Sequence, residues 1–208
     1  CETPEVTFNW HGGEPLILGK NFFRQVMAFE KEYAGGKIIN NTIQTNGTLI
    51  DNEWAEILRQ GNFLTGVSID GPEEIHDRYR RDRRGGPTLD KVLKSISILQ
   101  KVGVEFNTMT TINKVSEGKG REVYTFLKSI GSRFMQFMPV MEHIKDGRIV
   151  SPDIPGAEIA PWSVSDIGFG QFMCDIFDVW VRQDVGRYFV NLFDATLAGY
   201  CGAQPGSC

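Results

Sequence analysis

Apolar positions along this chain fall into two alternating kinds of run. Short runs of β-branched and aromatic residues occur at Val6 to Trp10, Ile38 to Gln44, Leu64 to Ile69, Glu105 to Ile112 and Phe134 to Val140. Between them lie stretches with apolar residues at helical spacing. The first helix is expected over Asn21 to Ala34. A second is capped near Asp51 and carries Trp54, Ile57 and Leu58 on one side. A third runs from Leu89 to Val102 and stops at Gly103, as glycine just past a helix end does. A fourth covers roughly Gly120 to Ile130. Strands alternating with helices in this way read as βα units around a parallel sheet. Right-handed crossovers then bring the C-terminal ends of all the strands to one face. Those ends are marked by Gly12-Gly13-Glu14-Pro15, Thr45-Asn46-Gly47, Ser68-Ile69-Asp70-Gly71 and Gln136-Phe137-Met138-Pro139, and their convergence is the reason to read them as one site.

The pattern changes after Val140. Met141 to Pro161 is polar, holds three prolines and is expected to form no regular element. Ser165 to Ala198 is expected to be helical and aromatic-rich, a core-packing helix or helix pair with a break at Gly186. The division that follows is residues 1–140 as a partial barrel, 141–200 as a loop and helical region closing it, and 201–208 as the start of a further domain.

Composition adds limits. The 208 residues suffice for one domain with a full core. A net charge of −4 argues against a nucleic-acid protein recognised by bulk charge. No apolar run is long enough to span a bilayer, and a cytoplasmic location is expected. The chain begins at Cys1 without Met and stops in a turn sequence, so it is expected to be an internal piece of a longer protein. None of its four cysteines forms a Cys-x-x-Cys pair. Cys174, in an apolar helical stretch, is expected to be a small buried core residue.

Two charged residues stand out chemically. Glu14, just past two glycines at a strand end, is placed to hold an ammonium group, or else is a solvated turn residue. Arg80 closes His76-Asp77-x-x-Arg80 after the third strand and is placed to grip a carboxylate through two parallel hydrogen bonds. Together they would read an amino-acid moiety. Arg81, Arg83 and Arg84 are expected to be a solvated basic loop continuing from Gly71. Ser68 and Asp70 alternate and so are expected on one face. His11 and His76 lack partners at ligand spacing and are read as satisfied structural histidines. No Ser-His-Asp set, P-loop or Gly-x-Gly-x-x-Gly is present.

With these residues in hand, the chain resembles the radical S-adenosylmethionine (SAM) superfamily, and within it the anaerobic sulfatase-maturating enzymes. The segments that carry the resemblance are Trp10 to Pro15, Ile43 to Leu49, Val67 to Pro72 with Ile75-His76-Asp77 and Arg80, Gln136 to Pro139, and Val185 to Phe189 with Leu192-Phe193-Asp194. The resemblance implies an α/β fold, a partial (β/α)6 radical SAM barrel lacking its first strand and the C-terminal auxiliary-cluster (SPASM) domain. It implies oxidation of a Cys or Ser of a sulfatase to Cα-formylglycine through a 5′-deoxyadenosyl radical, with S-adenosyl-L-methionine and [4Fe–4S] clusters as cofactors.

By match to the family motifs, Gly12, Gly13, Glu14, Ser68, Arg80 and Met135 would bind SAM. Gly13 would lie against its methionine moiety, Glu14 near its amino group, Arg80 on its carboxylate and Met135 at its adenine. Gln44 would face the substrate. Cys208 would be a ligand of an auxiliary cluster, and Cys201 a structural thiol. The Cys-x-x-x-Cys-x-x-Cys that holds the SAM cluster is absent, Cys1 not counting among its members, and the proposed proton acceptor would lie past the C-terminal end. The fragment alone is expected to be inactive. Implied partners are a sulfatase polypeptide of Cys/Ser-x-Pro-x-Arg type and an electron donor such as flavodoxin or ferredoxin, with no nucleic acid and no membrane. The alternatives are another SPASM-type maturase forming thioether or carbon–carbon crosslinks, a non-catalytic peptide-binding barrel, or a βα-barrel hydrolase, which should show a metal-ligand set or nucleophile–base pair.

Overall fold

A computed structural model of the protein describes residues 3–203. In chain order, the first part holds β1 (Glu5–Trp10), α1 (Lys20–Tyr33), β2 (Ile38–Thr45), α2 (Asn52–Gln60), β3 (Phe63–Ser68), α3 (Glu73–Tyr79), α4 (Leu89–Val102) and β4 (Phe106–Ile112). It continues through α5 (Gly120–Ser129), β5 (Phe134–Pro139), β6 (His143–Lys145), β7 (Arg148–Val150), β8 (Glu158–Ile159), α6 (Asp166–Gln183), β9 (Phe189–Val190) and α7 (Asn191–Tyr200). The chain divides into two compact units. The first runs to Ile69 and resumes over Arg80–Thr108; the second takes Asp70–Tyr79 and the chain from Met109 onward.

In the first unit β1, β2 and β3 pair in parallel, with Trp10 opposite Ile43 and Gln44 opposite Gly66. Beside β3, the Thr65 N–H donates to the Glu105 carbonyl at the start of β4 (3.3 Å). One side of this sheet is packed. Phe23 of α1 is fully buried, and its ring meets Trp10, Trp54 and Phe63 at 5.3, 5.5 and 5.9 Å. Ile43, Val67, Leu58 and Leu99 complete the core. α2 begins where the sequence places it: the Asp51 carboxylate accepts from the Trp54 N–H (2.8 Å) and caps the helix.

Acidic groups tie α1 to α2. Lys20 Nζ donates to Asp51 Oδ2 (2.6 Å) and Glu53 Oε2 (2.7 Å), and Arg24 reaches Glu53 Oε1 (2.6 Å). Hydrogen bonds from Lys20 and Arg24 hold the Glu53 carboxyl below its ordinary value. Arg59 holds Glu56 down to about 2. Carboxyls lowered on folding stabilise the fold above their unfolded values and lose that contribution as pH falls through the folded ones. The contribution of these two ion-paired carboxyls to the thermal midpoint is therefore expected to be complete above about pH 5 and to be lost between about 4.5 and 2. A midpoint unchanged down to pH 2 would contradict this.

In the second unit β5 pairs in parallel with β9, Met135 opposite Val190. The Val140 N–H donates to the Ile112 carbonyl at the end of β4 (2.8 Å). α5 starts hard against α6: a Cβ on Gly120 would stand 2.3 Å from the Phe172 carbonyl oxygen. Phe172, Trp180 and Phe193 are buried, as core packing of this aromatic region requires.

The structure corrects several expectations. The 141–161 segment is not irregular: β7, β6 and β8 form a small antiparallel sheet, and Asp146-Gly147, both at positive φ, make the turn between β6 and β7. The stretch after Gly71-Pro72 is not all loop, because α3 occupies Glu73–Tyr79. The helical region does break around Gly186, but a short strand, β9, sits in the break. Cys174 is exposed, not buried. The buried stripe of α6 runs through Phe172, Met173, Ile176 and Trp180, and Cys174 falls outside it. Cys201, expected to be a structural thiol, is an exposed free cysteine just past α7. Cys1 and Cys208 lie outside the described residues.

Candidate functional site

The expected cluster at the strand ends is best defined in the first unit. The end of β1 is fixed by Trp10, whose indole N–H donates to Asn41 Oδ1 (2.8 Å) and whose ring packs edge-on to Phe22 and Phe23. The chain then turns through Gly12 (φ 85°) and Gly13 (φ 49°), a left-handed pair that side chains resist. His11 is satisfied locally: its Nδ1 accepts from the Gly12 N–H (2.8 Å). A Cβ added at either glycine would meet nothing within 4 Å, so the turn presents bare backbone to open space.

Glu14 follows, half-buried. Its Oε1 accepts from the Leu16 N–H (3.1 Å) and the Thr45 hydroxyl (2.7 Å), and its Oε2 from the Asn46 N–H (2.7 Å). The carboxylate is thus a bracket between the turn after β1 and the end of β2. It is not a solvated turn residue. Two oxygens offer about four acceptor positions, so three protein donors leave room for one more, such as an ammonium. Thr45 and Asn46, expected only as markers of a strand end, prove to be donors to the Glu14 carboxylate, and that contact follows from the β1–β2 register.

The open face of this sheet is polar. Parallel sheets are ordinarily apolar on both faces. Here Phe63, Thr65 and Val67 are buried, while Asn9, Thr42, Gln44, Ser68 and Asn107 are half-buried or exposed. Thr42 donates to Asn9, and Gln44 Nε2 donates to Ser68 Oγ (3.1 Å). Gln44, expected toward substrate, is therefore joined to a residue expected on the cofactor.

Arg80 belongs to the same unit and is half-buried, its carbonyl accepting from the Thr88 hydroxyl (2.7 Å). Arg81, Arg83 and Arg84 are exposed, as a solvated basic loop should be.

Asp70 and Met135 belong to the second unit. Asp70 lies past the end of β3 and is buried. Its Oδ1 accepts from the Thr111 N–H (2.9 Å) and hydroxyl (2.8 Å), and its own N–H donates to His76 Nδ1 (3.2 Å). His76, fully buried, is the satisfied structural histidine expected. Met135 is 2% exposed and stands opposite Val190 in the β5–β9 pair. A concavity of about 510 Å³ in this unit is lined by Lys114, Met141, Glu142, His143, Ile159 and Ser165 among others, none of them singled out in the sequence. No group of three or more metal-ligating side chains occurs among the described residues.

The family model of the Radical SAM superfamily matches residues 3–127. The chain belongs to the radical SAM superfamily. It is 45% identical over 99% of its length to a serine-type anaerobic sulfatase-maturating enzyme of Bacteroides thetaiotaomicron, covering 51% of that protein. It is 36% identical over 97% of its length to a cysteine-type anaerobic sulfatase-maturating enzyme of Clostridium novyi, covering 52%. The chain thus spans about half the length of the curated relatives it matches. A solved structure of native anSMEcpe with bound AdoMet and Cp18Cys peptide is similar with a TM-score of 0.87 and 29% identity, over 99% of this chain and 55% of that one. The expected α/β radical SAM fold of parallel strands and connecting helices is therefore the fold of this chain. No helix among the described residues is long and apolar enough to cross a membrane.

Proposed function

We propose that this chain is the SAM-binding part of an anaerobic sulfatase-maturating enzyme, which oxidises a Cys or Ser of a sulfatase to Cα-formylglycine. The observation that carries the reading is the 45% identity to such an enzyme along 99% of the chain, with the Glu14 bracket and the polar sheet face in the matched region. S-adenosylmethionine bound beside a reduced [4Fe–4S] cluster supplies a hydrogen-abstracting radical. The residues of the first unit fit its amino-acid moiety. Glu14 has an acceptor position left for an ammonium, and the bare turn at Gly12 and Gly13 admits close approach. Arg80 supplies a planar donor pair for a carboxylate, and Ser68 a hydroxyl on the open face. Met135, buried in the second unit, is left out of this set. The cluster itself is not fitted by the described residues, whose two cysteines are separate and exposed.

In this reading the other partners are a sulfatase polypeptide carrying the target Cys or Ser, and an electron donor such as flavodoxin or ferredoxin. A cytoplasmic location fits the free thiols of Cys174 and Cys201. Arg80→Lys keeps the charge but loses the two-point grip, and is expected to weaken SAM binding about tenfold in calorimetry; unchanged affinity would remove Arg80 from the site.

The test of the reading uses the full-length protein, reconstituted without oxygen. It is incubated with SAM, a reductant and a peptide containing Cys-x-Pro-x-Arg or Ser-x-Pro-x-Arg. The expected result is the mass loss of conversion to formylglycine, with 5′-deoxyadenosine formed alongside. SAM cleavage with both peptides unchanged would overturn the sulfatase assignment and keep the superfamily chemistry.

A further inference from the structure

Gly66 lies in the middle of β3, a place where glycine weakens a strand and often marks the close approach of another group. The approaching group is visible. A Cβ built on Gly66 would stand 2.0 Å from Gln44 Oε1, and 2.9 Å from both Gln44 Cδ and Asn107 Oδ1. Gly66 is directly opposite Gln44 in the β2–β3 register. The Gln44 carboxamide therefore lies across the Gly66 backbone, filling the volume where a side chain would be. From that position its Nε2 donates to Ser68 Oγ, two residues further along β3 on the same face. A serine oxygen that accepts from Gln44 has its own O–H left to donate elsewhere.

We infer that Gly66 is a positioning residue of the SAM site: its missing side chain seats the Gln44 carboxamide, and Gln44 in turn orients the Ser68 hydroxyl toward the ligand. The inference rests on the proposed role of Ser68. It separates placement from folding, because the atoms that a new methyl group would strike are the far end of a flexible side chain, not backbone. The Gly66 backbone is not in the left-handed region, so alanine fits it without strain. The Gly66→Ala chain keeps its fold while Gln44 is driven off Ser68.

The test is calorimetric binding of SAM to the reconstituted full-length protein, its Gly66→Ala and Gln44→Ala variants and the double variant, with thermal unfolding of each. Gly66→Ala is expected to keep the unfolding midpoint of the parent and to weaken SAM binding about tenfold, the value of one well-placed hydrogen bond in a ligand site. Gln44→Ala is expected to do the same, and Gly66→Ala in the Gln44→Ala background to add nothing. Such non-additivity is the mark of two residues acting through one contact. Equal affinity of Gly66→Ala and the parent would overturn the inference. So would an equal loss from Gly66→Ala with and without Gln44, which would make Gly66 act on its own. A parent protein that binds no SAM would overturn the proposed reading of the site along with it, a result distinct from both.

Discussion

Replacing Glu14 by alanine in the full-length protein is expected to weaken SAM binding by about two orders of magnitude, the loss of one ionic hydrogen bond to a ligand ammonium. The same change is expected to lower stability by about 2–3 kcal/mol. The second effect is read from the bracket itself. Leu16, Thr45 and Asn46 all donate to this carboxylate, which is half-buried. Removing it leaves the main-chain N–H groups of Leu16 and Asn46 and the buried Thr45 hydroxyl without their acceptor, and unlinks the turn after β1 from the end of β2. Glu14→Gln separates the two effects. It keeps one acceptor oxygen for part of the bracket but carries no charge for an ammonium, so it should recover stability more than affinity. Calorimetry with SAM and denaturant titration check both. A Glu14→Ala variant that binds SAM like the parent would show that the carboxylate is only a structural bracket.

The largest expected loss of stability lies elsewhere, at Asp184. This residue closes the C-terminal end of α6 and is 3% exposed. Its Oδ2 accepts from the Tyr124 hydroxyl (2.9 Å) and Lys128 Nζ (2.6 Å). The Lys128 ammonium also lies over the rings of Tyr188 and Tyr124, at 4.7 and 5.2 Å from their centres. Burial, and donation to Asp184, push the Tyr124 phenol well above its ordinary value, so it stays a donor across the whole working range of pH. Asp184→Ala strands a fully buried phenol and a largely buried ammonium. Breaking a buried pair by removing one partner costs about 3–5 kcal/mol, because the other charge remains without compensation. Denaturant titration of the full-length variant should show a loss in that range; a loss under about 1 kcal/mol would mean that water replaces the carboxylate.

Much of this architecture could be read from residue pattern. β1 to β5 and the helices α1, α2, α4 and α5 stand within a residue or two of the positions expected, because each strand is a short β-branched or aromatic run and each of these helices carries an apolar stripe. Asp51 and Gly103 mark helix ends by chemistry that acts locally, and local chemistry is what a sequence displays. α3 escaped because seven residues make under two turns and show no period, although Glu73 and Glu74 after Gly71-Pro72 are a helix-start signal. The β6–β7 hairpin escaped because three-residue strands carry little alternation; its one clear sign was Asp146-Gly147. Cys174 was misplaced because an apolar stretch does not reveal which side of a helix packs.

The site shows the same division. Glu14 and Arg80 stand out in the sequence as charges following a strand, whereas Ser68 is proposed at the cofactor through the family resemblance. That Glu14 is gripped by Thr45 and Asn46, that Gln44 bonds to Ser68, and that Gly66 lies beneath Gln44 depend on the register of β1, β2 and β3, which only the folded sheet supplies. Glycine in a strand reads as a weakness until its neighbour is known.

The activity proposed for the protein containing this chain begins with removal of a hydrogen atom from Cβ of a sulfatase Cys or Ser. The most direct measurement supplies the full-length reconstituted protein with SAM, reductant and a target peptide deuterated at that Cβ, and then analyses the recovered 5′-deoxyadenosine by mass spectrometry. Deuterium is expected in the 5′-deoxyadenosine and formylglycine in the peptide. Unlabelled 5′-deoxyadenosine, or none at all, would contradict that activity.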